Sequence, residues 1–281
     1  VLHCLLFEPE KYDDYFISLP GKLPTDSQRK LIDNIFKIHL NIENDSLTLE
    51  DYSQDILTEL LTVNLYQSYK TDQQRLDKIL TEENKEYFEF LKRSQEKTIV
   101  DLPTLDGCKV QVEILKQNSD VRALLQLDKT DEDTHIEVYN EFYHKMDHEK
   151  LKFGLHGVMD NIVVDKDSQT IFINDLKTSG KSIQDFPDSV EYYKYWIQAA
   201  IYFILAADKF LKDLPDAGNW DIKVTFIVID KYNLVYPFQV SDKTMRTWND
   251  DFKEVIGVAS WHYENKIYNL PYDLAKGNFK L

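Results

Sequence analysis

Apolar residues recur at helical spacing through the first part of the chain. Leu31, Ile32, Ile35, Phe36 and Ile38 follow Asp26, which can cap a helix there. Leu57, Leu60, Leu61 and Leu65 form a similar stripe within 49–69, and 73–80 and 84–94 read as two more helices broken near Thr81. Residues 101–107, with Pro103 and Gly107, predict a turn, and 110–127 another helix. The polar run 128–134 reads as a loop, after which the period changes. Residues 135–146 alternate, with Ile136, Val138, Phe142 and Met146 on one face and Glu137, Tyr139, Glu141 and Tyr143 on the other, which is a strand pattern. Strands are also predicted over 155–165, 170–177, 221–230 and 234–240, with turns at 165–169 and 231–233. A loop over 178–188 precedes a long helix, capped by Ser189, that reaches about Leu211; Ser241 opens a last helix through Trp248, Phe252, Val255 and Ile256. The predicted fold is α/β: a mixed central sheet flanked by helices, with an N-terminal helical insertion.

The chemistry concentrates on one predicted hairpin. Asp160 ends the first of its two apolar runs, and Asp175 and Lys177, two apart, end the second. Joining these runs by a short turn brings the two aspartates side by side. Lys177 shares the face of Asp175, because strand side chains repeat every second residue. Two carboxylates and an ammonium together suit a divalent metal with a positioned water or phosphate. Asp165 and Asp167 are better explained as turn residues.

Composition narrows the classes. The 281 residues are 43% hydrophobic and 13% aromatic, enough for a substantial core. No apolar run approaches the roughly 20 residues that cross a bilayer, so no membrane partner is expected. The first residue is Val1 rather than Met, and the true start is expected to have been lost. Cys4 and Cys108 are too few for a four-thiolate zinc or iron–sulfur site and read as reduced thiols of a cytoplasmic protein. A net charge of −16 argues against a nonspecific nucleic-acid coat, yet leaves room for an enzyme with a local basic channel.

Asp160, then Asp175-Leu176-Lys177 after the hairpin, then Gln198 and Tyr202 within YWIQAAIYF, resembles the PD-(D/E)XK nuclease superfamily. The pattern is most similar to its RecB-type branch, whose signature runs G-x-x-D, D-x-K, Q-x-x-x-Y; Met159 stands where the nominal proline would be, as is usual in that branch. The opening LHCLLFEPEKYDDYF resembles the helix that carries an active-site histidine there, in the wording of RecE-like phage exonucleases, and so implicates His3. The resemblance covers residues 1–16 and about 135–240. It implies three segments: an N-terminal core helix over 1–16, a helical lobe over 17–130 and the nuclease core over 131–281.

The resemblance also implies roles. Asp160 and Asp175 would ligate Mg²⁺ or Mn²⁺, hard cations that take carboxylate and water oxygens, with the Leu176 carbonyl as a further donor and no iron–sulfur cluster. Lys177 would contact the scissile phosphate or the attacking water. Glu141 and Glu137 compete for one further acidic position, and periodicity cannot choose between them. His3 would offer a neutral imidazole to the metal. Gln198 and Tyr202 lie four apart on one helix face, with Lys194 one turn earlier. Thr178, Lys181, Ser182 and Lys194 are candidate DNA contacts, and Arg75, Lys78 and Arg93 are candidates for a basic wall. The run Tyr192, Tyr193, Tyr195 and Trp196 suits core packing or base stacking. Together these residues predict a metal-dependent deoxyribonuclease, an exonuclease on duplex DNA ends in phage recombination or DNA processing. Its location would be the cytoplasm of a bacterial or phage-infected cell, its partners DNA and a single-strand annealing protein, and its form a homo-oligomer. A structure-specific endonuclease on the same core, or a noncatalytic DNA-binding or scaffold module, are the alternatives.

Overall fold

The structure is a computed structural model that describes residues 1–277 apart from Glu43. In chain order its helices are α1 (Leu2–Phe7), α2 (Tyr12–Tyr15), α3 (Asp26–His39), α4 (Ser53–Thr62), α5 (Asp72–Ile79), α6 (Glu82–Arg93), α7 (Leu102–Gln117), α8 (Ser119–Leu125), α9 (Phe186–Tyr192), α10 (Tyr195–Ala206), α11 (Asp242–Asn265) and α12 (Tyr272–Ala275). Its strands are β1 (Phe16–Ser18), β2 (Thr98–Val100), β3 (Ile136–His148), β4 (Leu151–Asp165), β5 (Thr170–Ser179), β6 (Asp221–Asp230) and β7 (Val235–Gln239). The chain divides into two compact units, Pro9–Lys109 and Leu2–Glu8 with Val110–Leu281. Among the described residues, no helix is long and apolar enough to cross a membrane.

The first unit is built on α3 to α6. Leu31, Ile32, Ile35, Ile56, Leu60, Ile79 and Phe88 are fully buried in one apolar cluster, and His39 hydrogen-bonds Tyr52 inside it at 2.8 Å. Short β1 and β2 pair in parallel. Thr25, not Asp26, is the N-cap of α3. Its N–H donates to Gln28 Oε1 (3.2 Å), and Asp26 becomes the first helical residue, where its charge suits the helix dipole. The stripe within 49–69 is also shorter than expected. A 3₁₀ turn leads into α4, and the helix stops at Thr62 because Asn64 and Tyr66 take left-handed backbone conformations.

The predicted turn over 101–107 is instead the start of α7. Asp101 Oδ1 accepts the Thr104 N–H at 2.8 Å, and Pro103 sits in the first turn, where a missing N–H leaves no bond unmade. The predicted helix over 110–127 breaks at Asn118, whose Oδ1 accepts the N–H groups of Asp120 and Val121 and so caps α8.

The second unit holds the sheet, in order β3-β4-β5-β6-β7 among the described residues. Only the β5–β6 pair is parallel, and α9 and α10 make that crossover. The core lies under α10 and α11: Met159, Ile162, Ile171, Ile173, Ala199, Ala200, Leu205, Val224 and Val228 are buried there. The mixed sheet flanked by helices is the predicted architecture. The loop expected over 178–188 is shorter, since α9 begins at Phe186 with Pro187 in its first turn, and Ser189 is buried within it rather than capping it. The long helix expected over 189–211 is broken at Lys194, whose φ of 58° ends one helix and starts the next.

Near the turn of the β3–β4 hairpin the pairing shifts between Met146 and His148. Gly154 stands there with φ +71°, and a Cβ on it would lie 2.5 Å from the Met146 carbonyl oxygen. Gly154→Ala should therefore lower the free energy of unfolding by about 1–3 kcal/mol. Chemical denaturation checks this, and an unchanged midpoint contradicts it.

Candidate active site

The site forms where one strand ladder ends and its neighbour skips a rung. The β4–β5 ladder runs from Asp165↔Thr170 to Asn161↔Asn174 and goes no further. The next rung would be Asp160 opposite Asp175. Instead, Asp160 Oδ2 accepts the Leu176 N–H at 2.7 Å, so a side chain replaces the missing backbone rung. On the other side of β4, pairing skips from Asn140↔Asn161 to Phe142↔Met159, and the skipped Glu141 has φ +45°, in the left-handed region that side chains disfavour.

That kink changes the face assignment along β3. Strict alternation puts Tyr139 and Phe142 on opposite faces, yet both rings pack on Phe210, at 5.3 and 5.8 Å between centroids. The left-handed residue between them rotates the strand. Glu137 and Glu141 consequently part company, contrary to the shared face expected from periodicity. Glu137 accepts the Tyr139 hydroxyl hydrogen bond (2.6 Å) and pairs with Lys166 (2.5 Å), whereas Glu141 turns toward His3. β4 changes phase at the same level, from Leu155 and Met159 in the core to Ile162 and Val164.

His3 is carried by α1, whose Leu2, Leu6 and Phe7 are buried. Its Nδ1 lies 3.4 Å from Asp160 Oδ1 and 3.6 Å from Glu141 Oε1. Ligand atoms of the three residues lie within 4.8 Å of one another, so they could hold a metal ion. The His3 side chain is 40% exposed, which opens this cluster to solvent. Burial alone would lower the imidazole's pKa; hydrogen bonds to Asp160 and then Glu141, with their charges, outweigh it and raise it to about 10.

Asp175 and Lys177 form a second group against α10. Lys177 Nζ lies 2.6 Å from Asp175 Oδ2 and donates to Gln198 Oε1 at 2.9 Å. Gln198 Nε2 donates to Asp175 Oδ1 (3.1 Å) and to the Tyr202 hydroxyl oxygen (2.8 Å), and Tyr202 donates in turn to the Val158 carbonyl. Asp175 is 1% exposed. Burial, and then the neighbouring Asp160 charge, push its carboxyl pKa upward against the pull of Lys177 and His3. Among the site's carboxylates, Glu141 Oε1 and Asp175 Oδ2 are buried without a hydrogen bond of good geometry, as is Asn174 Oδ1 next to them. Oxygens left this way among converging acids fit a cation better than they fit an empty site.

The structure thus brings His3, Glu141 and Asp160 together, and Asp175, Lys177, Gln198 and Tyr202 beside them. Leu176 is tied in through its N–H. Of the expected DNA contacts, Thr178 and Lys181 are exposed and line a cavity of about 160 Å³ with Tyr193 and Tyr195, while Ser182 is half-buried. Lys194 is exposed but is the N-cap of α10 in left-handed conformation, so it does not continue the face of Gln198 and Tyr202. In the first unit, Arg75 is bonded to Asp72 at 2.8 Å and Lys78 lies over Tyr69, contacts that serve local structure. Asp165 is a turn residue as expected, with Oδ1 accepting the N–H groups of Asp167 and Ser168.

Motif reasoning does not point to a polar rung behind the acids. Asn161 Nδ2 donates to Asn140 Oδ1 (2.9 Å); Asn174 Nδ2 donates to Asn161 Oδ1 (2.8 Å) and to the Leu124 carbonyl (2.9 Å). Each asparagine adjoins an acid in sequence: Asn140-Glu141, Asp160-Asn161, Asn174-Asp175. Asparagine is depleted in strand interiors, so this triple coincidence is a readable signal. Gly157 has an equally local reason. A Cβ there would lie 2.9 Å from the Tyr202 ring, so glycine lets α10 seat Tyr202 against β4.

The PD-(D/E)XK nuclease superfamily profile matches residues 47–274, most of the chain. The chain belongs to the PD-(D/E)XK nuclease superfamily. Superfamily members generally use divalent metals, and membership supports a nuclease with DNA as its substrate. The match contains Asp160, Asp175, Lys177, Gln198 and Tyr202 and leaves α1 outside it. No curated protein matches the chain. Among solved structures, one described as "Putative exonuclease" from Eubacterium rectale is 13% identical, with a TM-score of 0.40, covering 79% of this chain and 80% of that one.

Asn174→Ala should cost about 1–3 kcal/mol, because Asn161 Oδ1 and the Leu124 carbonyl lose their donor inside the core. Equilibrium unfolding reads the loss directly, and wild-type stability would show that the rung is dispensable.

Proposed function

We propose that the protein is a divalent-metal-dependent DNA exonuclease of the RecB/RecE-like branch, hydrolysing phosphodiester bonds at duplex ends in phage recombination or DNA processing. One observation carries this reading: the ligand atoms of His3, Glu141 and Asp160 lie within 4.8 Å of one another, beside an Asp175–Lys177 pair on the adjoining strand. His3, Glu141, Asp160 and Asp175, with the Leu176 carbonyl, would hold Mg²⁺ or Mn²⁺. The bound ion would polarise a phosphoryl oxygen and acidify a water.

The remaining roles belong to side chains. Lys177 presents its ammonium next to Asp175, where it can meet negative charge developing on the phosphoryl oxygens. Gln198 fixes both partners of that pair at once, and Tyr202 anchors Gln198 to β4. These two position the reacting groups from α10. Thr178, Lys181, Ser182 and Lys194 would contact the DNA backbone. The histidine and the D-x-K spacing support the RecE-like reading, which brings with it a homo-oligomer and a single-strand annealing partner. The reading also assigns the division of labour along the chain: a histidine helix within 1–16, a helical lobe over 17–130 and the catalytic core from 131 onward.

Asp175→Ala and Lys177→Ala are each expected to reduce Mg²⁺- or Mn²⁺-dependent cleavage of end-labelled linear duplex by about 100-fold or more, with folding intact by circular dichroism. Full activity in either variant refutes the site. Circular duplex should resist cleavage, whereas its degradation would assign an endonuclease. His3→Ala should weaken Mn²⁺ binding by about tenfold or more, read by calorimetry without DNA. Unaltered affinity would make the histidine purely structural.

A further inference from the structure

The catalytic lysine continues into a row of aromatic rings that leads out to solvent. Lys177 Nζ sits 4.8 Å from the centre of the Tyr195 ring. Tyr195 stacks on Tyr193, with centroids 5.5 Å apart and planes 27° from parallel, and Tyr193 meets Tyr192 edge-on at 4.9 Å. The helix break makes this row possible. With Lys194 in left-handed conformation between α9 and α10, Tyr192 and Tyr193 occupy the corner instead of a packed helix face. Tyr192 is 77% exposed and Tyr193 57% exposed. Leaving two adjacent tyrosines in water forgoes the burial that such rings otherwise gain, so a ligand is the natural partner for them.

The surroundings select that ligand. The cavity between Tyr193, Tyr195 and the Thr178–Lys181 turn holds about 160 Å³, well below the roughly 300 Å³ at which pockets for drug-sized ligands begin. It admits one planar ring. Exposed Lys181 lines it, exposed Lys194 stands between Tyr193 and Tyr195 in the chain, and both suit the phosphates next to such a ring. Every nucleobase offers a π-face to an aromatic platform, but a base inside a duplex is already stacked on both sides.

We infer that Tyr193, backed by Tyr195 and edged by Tyr192, is a stacking subsite for one unpaired nucleobase next to the scissile phosphate. The enzyme therefore works on a strand separated from its complement at the point of cleavage. This deepens the nuclease reading above and rests on it.

Binding of a fluorescent oligothymidylate, measured by anisotropy in Ca²⁺ under conditions that leave the oligonucleotide intact, tests the subsite. Tyr193→Ala should bind about 5- to 100-fold more weakly, with KM raised more than kcat falls in Mg²⁺. Tyr193→Trp should restore both. A single abasic position beside the cleaved bond should reproduce the loss in the wild type and add nothing further in Tyr193→Ala, as expected when mutation and lesion remove the same contact. Thermal melting confirms that each variant is folded. Wild-type binding by Tyr193→Ala, or losses from mutation and abasic site that simply add, would overturn the subsite while leaving the nuclease intact. A wild-type protein that neither binds nor cleaves any DNA would overturn the nuclease reading and the subsite with it.

Discussion

Like charges brought together out of water must be compensated, and the architecture follows from how this chain does it. Asp160, Asp175 and Glu141 converge where the ladders on both sides of β4 lapse, and Asp160 and Asp175 are almost wholly buried. Their mutual repulsion adds to the cost of burying them. The chain offsets that cost by supplying the Leu176 N–H to Asp160, Lys177 to Asp175, and His3 to Asp160 and Glu141. Two of the compensating groups, the Leu176 amide and the Lys177 ammonium, come from consecutive residues of β5, and the third from α1.

The lapse in pairing is also what exposes the acids to one another. A continuous sheet would have used the backbone groups of residues 160, 175 and 141 in rungs and turned the side chains alternately away. The asparagine rung holds the strands together immediately before they part, and the left-handed Glu141 lets β3 change phase without breaking the sheet. From the other side, α10 approaches closely enough at Gly157 for Tyr202 to bond β4, and that seats Gln198 over Asp175 and Lys177. Sheet and helix therefore specify the same geometry independently.

Much of this was legible in the sequence, for physical reasons that differ by residue. Period-two alternation located the strands, and the hairpin turn fixed Asp160 near Asp175. Side-chain spacing placed Lys177 with Asp175, and Gln198 with Tyr202. Alternation failed at Glu141, since a single residue with positive φ reverses every face assignment after it and leaves no trace in hydropathy. The break at Lys194 was hidden likewise, because a lysine is an ordinary helix residue and only its backbone conformation departs. Pro103 misled in the opposite sense: it marks a helix start as readily as a turn, and the Asp101 cap decides which. The pairing of His3 with Glu141 and Asp160 is long-range, so local pattern could not supply it and only the resemblance to a known motif did.

That long-range pairing would make a cation held there more than a reagent. The sequence between His3 and Glu141 contains all of Pro9–Lys109 and amounts to almost half of the chain. A metal held by both would act as a cross-link closing a very long loop, and such a closure removes conformational freedom from the unfolded chain. Occupancy of the site and integrity of the fold would then rise and fall together, since a ligand that binds only the folded chain stabilises it.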